Sequence, residues 1–392
     1  MQSLTVSHHT AVSAAGLGNQ ALWESLLAHR SGLAPNDLPH VSLVTHIGRV
    51  RGLEDLPLPP AFSTWDSRNN RLALLALRQD GLEAAVLRLR ERYGSRRIAV
   101  VLGTSTASIG STEEAYRLRE NDTELPSAFR EHIVHSPYSL VDFVRCYLGL
   151  EGPALSVSTA CSSSARVFGS AERMLRLGLA DAALVGGVDT LCLTVLYGFN
   201  SLELISAEPC RPFDVERKGL SIGEGAGFAI LERGRDGELL FEGYGESSDA
   251  YHMSSPHPEG LGVRLAMENA LASAAIDTTA IDYVNLHGTA TCINDQVEGE
   301  VMRALFAKPV ACSSVKGWTG HTLGAAGIVE AVISLLCLKG GLIPATLNCR
   351  TVEPRFAQYV RTTSTRQRLR RVMSNSFGFG GNNCSLVFGR AG

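Results

Sequence analysis

The sequence predicts an α/β fold, and three observations carry that expectation. Short runs rich in β-branched residues alternate with longer helical stretches along the chain. The short runs are apolar on both faces, as strands are in a sheet covered on both sides. The 392 residues, 45% hydrophobic and 19% charged, can bury a large core. That length exceeds what one ordinary core accommodates, so two domains, or two halves of one architecture, are expected.

Taken in order, Ile98 to Leu102 reads as a buried strand, followed by a Gly/Ser/Thr turn from Gly103 to Gly110. Ala154 to Ser158 is the next strand, and a helix follows from about Ser162 to Leu177. Val167, Ala171 and Met174 share one face of it, while Glu172 and Arg176 pair at i,i+4 on another. Ala182 to Val188 and Gly227 to Leu231 are further strands. The pattern then starts again. Val263 to Ala275 is helical, Tyr283 to Leu286 a strand and Gln296 to Phe306 helical. Val310 to Ser313 is a strand, Ala325 to Leu338 a helix and Cys384 to Phe388 a closing strand. Residues 152–188 and 310–350 share their punctuation of strand, small-residue turn and helix, which hints at a duplication. The polar stretch Glu232 to Glu238 marks the expected seam, giving halves of residues 1–235 and 236–392.

Charge and composition exclude several classes. The net charge of −3 argues against a nucleic-acid binder, which carries a basic excess. Nine cysteines scattered through a long chain suggest reduced thiols in the cytoplasm rather than a disulfide framework. The N-terminus lacks the basic start and apolar stretch of a signal peptide. Apolar runs such as Ala331 to Leu338 are shorter than the roughly 18–20 residues of a membrane span, so a soluble protein is expected. Of 36 basic residues only Lys218, Lys308, Lys316 and Lys339 are lysines.

Four segments carry candidate chemistry. In Ser158-Thr159-Ala160-Cys161-Ser162-Ser163-Ser164-Ala165 a strand feeds a helix, so Cys161 falls near a helix N-terminus. Partial positive charge and free N–H groups there favour a thiolate, and small neighbours leave room for a substrate. A small buried cysteine explains the same residues. In Asn285-Leu286-His287-Gly288-Thr289-Ala290-Thr291 a histidine ends a strand, and the hydroxyls of Thr289 and Thr291 can meet a polar ligand. Asn294 and Asp295 are read as caps of the following helix. In Ser314 to Gly327, Lys316 and His321 sit in a turn between a strand and a Gly/Ala helix that carries Glu330, a possible partner for Lys316. In Ser376 to Asn383, glycines flank Phe379 and permit positive φ and close backbone approach. Each segment alone has an ordinary structural explanation. Together, a thiol, two histidines, a lysine and a backbone-donor loop describe acyl transfer through a thioester. No zinc-ligand spacing, P-loop or dinucleotide fingerprint is present, so neither a metal nor a bound cofactor is expected.

The chain resembles the β-ketoacyl-acyl-carrier-protein synthases of fatty-acid and polyketide synthesis. The resemblance rests on STACSSSA, RPFDVERKGLSIGEGAGFAILE, SSDAYHMSSP, LHGTATCINDQVE, SVKGWTGHTLGAAGIVE and NSFGFGGNN, in the family's order. It implies a thiolase-like fold, with two similar α/β halves in a five-layered αβαβα sandwich, and a dimer with the active site near the subunit interface. It implies that Cys161 accepts the acyl group and that His287 and His321 promote decarboxylation of a malonyl thioester. Lys316 would tune the electrostatics near His321 through Glu330. The N–H groups of Cys161 and Phe379 would form an oxyanion hole, Gly378 and Gly380 would contact the substrate, and Phe379 would gate the acyl pocket. Thr289 and Thr291 would bind the phosphopantetheine arm of the acyl carrier protein, with no further cofactor. Thr106 and Ile109 would help set pocket depth, and Arg68 and Arg71 would form part of a basic patch for the carrier.

Departures from the family's pattern narrow this. Cys292 stands where a proline is usual, and Asn294-Asp295 where Gly-Asp is more usual. Pro126 to Ser136 and Gly198 to Ser206 are poorer in basic residues than a housekeeping elongation enzyme implies. A specialised carrier, or a heterodimer with a chain-length-factor-like homologue as in aryl-polyene and type II polyketide systems, is therefore an alternative to the homodimer. Cys161 with both histidines argues against a non-catalytic chain-length factor. His321 argues against the Cys-His-Asn initiating enzymes, and the position of Cys384 beyond the glycine loop argues against a degradative thiolase.

Overall fold

The computed structural model describes residues 1–119, 124–126, 129 and 131–391. Of the weakly basic segment Pro126 to Ser136, residues 127, 128 and 130 lie outside the described residues. Ten strands build the main sheet: β1 (Leu4–Ser13), β2 (Ile98–Gly103), β3 (Ala154–Val157), β4 (Ala182–Asp189), β5 (Gly225–Arg233), β6 (Leu239–Ser248), β7 (Tyr283–Asn285), β8 (Ala311–Ser313), β9 (Arg371–Gly378) and β10 (Asn382–Arg390). A short strand at Gly16–Leu17 adds to the edge of β1. The order is β8-β7-β9-β10-β6-β1-β5-β4-β2-β3.

That order is one five-stranded unit written twice. In the first half the strands run β3-β2-β4-β5-β1, and in the second β8-β7-β9-β10-β6. Both place the third strand at the edge, then the second, fourth, fifth and first. The pairings repeat as well: β2 is parallel to β3 and β4, and β7 is parallel to β8 and β9. The fifth strand of each half is antiparallel to both its neighbours. The halves join where β1 meets β6 at Leu4–Phe241 and Thr5–Leu240. β3-helix-β4 therefore corresponds to β8-helix-β9, so the partner of residues 152–188 ends in β9 rather than near residue 350. Much of the 342–370 stretch intervenes as irregular chain, which displaces the expected repeat.

Strand alternation sorts the layers. The helices that matter are α1 (Arg68–Leu77), α2 (Ser139–Leu148), α3 (Ser163–Arg176), α4 (Leu261–Ala274), α5 (Cys292–Leu305) and α6 (Ala326–Gly340). On β2, Ala99 and Val101 face inward to a core shared with α3 and α6. Ile98, Val100 and Leu102 face outward to α1 and α2. On the second half, Tyr283, Val372 and Leu386 join the inner core, while Val284, Met373 and Val387 face α4 and α5. The result is the five-layered αβαβα sandwich of the thiolase-like fold, with α3 and α6 as the middle layer.

The middle layer explains two composition features. From Ala326 to Leu338, α6 is buried on every side, so it is apolar all round rather than amphipathic. The stretch Leu323–Gly340 is long and apolar enough to cross a membrane by composition, longer than the sequence runs suggest, but 89% of it is buried inside the protein. The small residues at the starts of α3 and α6 exist for packing. A Cβ on Gly327 would lie 2.4 Å from the Ala165 nitrogen, and the Ile328 N–H donates to Ser164 Oγ at 2.9 Å. Glycine, alanine and serine thus let the two helix starts touch, and the loops that lead into them meet.

Candidate active site

The loop after β3 places Cys161 just before α3. Ala160 takes φ +50, and the Ser163 hydroxyl receives the Thr159 N–H and donates to the Ala160 carbonyl, which closes the turn. Cys161 is only 5% exposed. The loop after β8, equivalent in the second half, carries Lys316 and His321. His321 Nε2 lies 3.1 Å from Cys161 Sγ. The Leu323 N–H donates to His321 Nδ1 at 3.2 Å, which occupies that lone pair and puts the proton of the neutral ring on Nε2. His321 thus presents an N–H to the sulfur.

His287 follows β7, and its loop hangs on a buried carboxylate that sequence reasoning missed. Glu298 on α5 accepts the His287 and Gly288 N–H groups, both at 2.8 Å, and the Asn375 side chain at 3.1 Å. The His287 and His321 rings stand edge to face with centroids 5.3 Å apart. The Cys161 sulfur and one nitrogen of each histidine lie within 4.8 Å of one another.

Lys316 is 1% exposed and donates to Glu330 Oε1 at 2.6 Å, with Glu330 2% exposed. The expected Lys316–Glu330 pair is therefore formed, but its contact in the site is with His287. The ammonium donates to the His287 carbonyl and lies 3.4 Å from His287 Nδ1. A cation on that side puts the proton of neutral His287 on Nε2. It also opposes a metal ion beside Cys161, where both neutral rings carry their proton on Nε2.

Burial sets the protonation of the site. It holds both histidines well below the usual imidazole range, and the Lys316 charge adds to the effect. They are neutral at physiological pH. Burial pushes the Cys161 thiol up to about 11, against the pull of Lys316 and of the Phe379 and Cys161 N–H groups. This corrects the expectation of a resting thiolate: with the substrate absent, desolvation outweighs the helix-start donors. Glu298 is raised to about 7 by burial.

The fourth segment closes the site. The Phe379 N–H and that of Cys161 both point at the sulfur. Gly378 has ordinary extended backbone, φ −108, and its glycine is needed for space: a Cβ would stand 2.9 Å from the Thr159 carbonyl oxygen and 3.1 Å from the Cys161 nitrogen. Gly380 is the one in the left-handed region, φ +75. The Phe379 ring stacks on Phe199 with centroids 5.3 Å apart, a partner not identified from sequence. A cavity of about 350 Å³ opens on Cys161, His287 and His321, with Thr289, Thr291, Gly378 and Phe379 in its wall. The two threonine hydroxyls are 2.9 Å apart.

Other sequence candidates lie elsewhere. Thr106 is 6% exposed and outside this cavity wall; its N–H and hydroxyl donate to Asp189. Asp189 also receives the Gly324 N–H, tying the loop after β2 to the His321 turn. Arg68 is spent on the fully buried Glu224 and on Glu54, and Arg71 on Asp66. Their charges are neutralised within the chain, unlike those of a free basic patch. Asp295 is not a cap: α5 already begins at Cys292, and Asp295 is buried, accepting the Phe213 and Ala290 N–H groups.

Comparison with known proteins fits this geometry. Residues 9–237 match the family model of the beta-ketoacyl synthase N-terminal domain, and residues 240–350 that of its C-terminal domain. The chain belongs to the β-ketoacyl synthase family. Members of this family are acyltransferases. The chain is 34% identical over 406 residues to a 3-oxoacyl-[acyl-carrier-protein] synthase 2 of Vibrio cholerae, covering 95% of each. It is 31% identical to nodulation protein E of Rhizobium leguminosarum, covering 95% of this chain and 96% of that one. A ketosynthase of Xenorhabdus doucetiae, solved in complex with its chain length factor, is 37% identical. It superposes with a TM-score of 0.90 over 100% of this chain and 98% of that one. The family's characteristic Cys-His-His set is Cys161, His287 and His321.

Proposed function

We propose that this β-ketoacyl synthase performs a two-stage condensation on substrates carried by the phosphopantetheine of an acyl carrier protein. The observation that carries the reading is the meeting of Cys161, His287 and His321 beside a buried Lys316–Glu330 pair. In the first stage the Cys161 sulfur attacks an acyl thioester, and the carrier thiol leaves with the proton. The N–H groups of Cys161 and Phe379 receive the developing oxyanion. In the second stage a malonyl thioester loses CO2. The Nε2–H groups of His287 and His321 hold the enolate oxygen that forms. The enolate carbon then attacks the acyl-Cys161 carbonyl, the C–S bond breaks, and the cysteine thiolate takes up one proton. Neutral histidines suit this work, since each must donate without giving up its proton. Burial keeps them neutral, Lys316 adds to the effect, and Glu330 holds Lys316. Thr289 and Thr291 line the route of the arm, and no separate cofactor is needed.

Incubation with an acyl carrier substrate tests this directly. The acyl mass appears on Cys161 and is absent in Cys161→Ala; an unmodified wild-type protein sinks the reading. A second reading concerns assembly. The likeness to a ketosynthase solved with its chain length factor favours a heterodimer with such a homologue over a homodimer. Under that reading the halves 1–235 and 236–392 form one subunit of the pair. A stable homodimer fully active with a housekeeping carrier overturns it.

A further inference from the structure

Among the residues that line the catalytic cavity, one cation is exposed. Lys218 lies in the segment Arg217-Lys218-Gly219 before β5 and lines the cavity. Among the described residues no carboxylate pairs with it. Its neighbour Arg217 behaves in the opposite way. That side chain is 8% exposed, and its guanidinium is spent on Glu353, on the Asp214 carbonyl and on the Cys292 carbonyl. Of two consecutive cations, one anchors the segment and the other is left free at the cavity.

The anchoring fixes where Lys218 stands. The Gly219 N–H donates to the Ala290 carbonyl at 3.0 Å, and Ala290 separates Thr289 from Thr291. Arg217 holds the Cys292 carbonyl from the other side. Lys218 is therefore clasped beside the threonine turn, and it is exposed there. Cys292 and Ile293 are the exposed wall members beside the threonine turn, and the exposed carboxylate of the wall, Glu203, makes no ion pair with Lys218 among the described residues.

A substrate arm that reaches Cys161 past Thr289 and Thr291 is mostly neutral, with amide groups, but it ends in a phosphodiester with one negative charge. We propose that Lys218 is the positioning residue for that phosphodiester. This rests on the carrier-dependent reading above and adds to it. Arg68 and Arg71 being neutralised internally, Lys218 supplies a phosphate-directed charge at the cavity itself. The pair is exposed, so its strength is modest and depends on salt.

The test compares malonyl-phosphopantetheine with malonyl-pantetheine, which differ only in the phosphate, as extender for acylated enzyme. Wild type, Lys218→Gln and Lys218→Glu are assayed at low and high salt. The exposed side chain makes misfolding of these variants no obstacle. Lys218→Gln should raise KM for the phosphate-bearing thioester by about threefold to fivefold relative to the phosphate-free one, and less at high salt. Lys218→Glu should widen that ratio. An equal penalty on both thioesters, or none, overturns the assignment of Lys218 while leaving the condensation reading in place. Failure of wild type to condense either thioester, with a malonyl carrier protein also inert, overturns both.

Discussion

Replacing Lys316 with methionine separates what the buried ion pair does for stability from what it does for chemistry. Lys316 and Glu330 are 1% and 2% exposed, and their charged atoms are 2.6 Å apart. Removing one partner of such a pair costs about 3–5 kcal/mol, because the other is left charged in a dry place. Here the loss falls near the lower end, about 3 kcal/mol, since burial already raises Glu330 above its ordinary range and the orphan takes up a proton. Glu330→Gln in the same chain removes that problem. The double variant should recover to within about 1 kcal/mol of wild type in urea unfolding. Decarboxylation should not recover. Without the ammonium 3.4 Å from Nδ1, His287 loses the group that orients it and helps keep it neutral. The CO2 released from a malonyl thioester should fall roughly 100-fold in single and double variants alike. Its acid limb should move to higher pH, because removing a nearby positive charge lets the His287 pKa rise. A double variant that regains decarboxylation together with stability, with its acid limb unmoved, would refute the reasoning and leave Lys316 a purely structural role.

Three further outcomes follow from the same geometry. With the Cys161 thiol at about 11, iodoacetamide labelling should rise about tenfold per pH unit through pH 9, followed by peptide mass; a plateau below pH 9 would show that the N–H donors win over burial. Gly378→Ala forces a Cβ against Thr159 and Cys161, so acyl-Cys161 formation should drop about 100-fold while circular dichroism stays native; normal acylation would mean the loop yields freely. His287 and His321 have folded pKa values below their unfolded one, so they contribute stability present above pH 6.5 and lost as pH falls below it. Glu298, raised to about 7, acts oppositely, its contribution fading from about pH 4.5 to 7, so the histidine share is read as the flatter acid slope of His321→Gln in urea titrations between pH 7.5 and 5.

The candidate catalytic residues were legible because the proposed chemistry constrains them to unusual side chains in short motifs. Cys161, His287, Lys316 and His321 each stand at a strand-to-helix or strand-to-turn junction that local pattern reveals. Their supports were not legible. Glu298 reads as an ordinary helix glutamate, and only the folding of α5 under the His287 loop turns it into an acceptor of three hydrogen bonds. Asp189 likewise holds the loop after β2 through partners more than 80 residues away. The arginines misled for the same reason: Arg68 looks like a surface charge until Glu224, 156 residues later, is found beneath it. Strands β1, β6 and β9 also escaped, since their polar and glycine-broken sequences, such as Leu239 to Ser248, do not read as apolar runs although most of their residues are buried.

The duplicated topology accounts for why this site needs both halves. Each half offers loops at the carboxyl ends of its three mutually parallel strands, the usual place for a site in such sheets. In the first half two of those loops are spent on each other: Asp189, at the end of β4, ties down Thr104, Ser105 and Thr106 after β2. The loop after β3 carries Cys161, the proposed nucleophile, and the chain after β4 adds Phe199 and Lys218 to the cavity wall. In the second half all three loops contribute, with His287 after β7, Lys316 and His321 after β8, and Phe379 after β9. The halves are joined by the contact of α3 with α6, which is close only because Ala165 meets Gly327. That contact brings the loop after β3 against the loop after β8 and sets Cys161 3.1 Å from His321. A larger residue at position 165 or 327 would therefore separate the nucleophile from its donors without touching either. The small-residue runs beside Cys161 and His321 are thus as much a condition of the chemistry as the side chains that perform it.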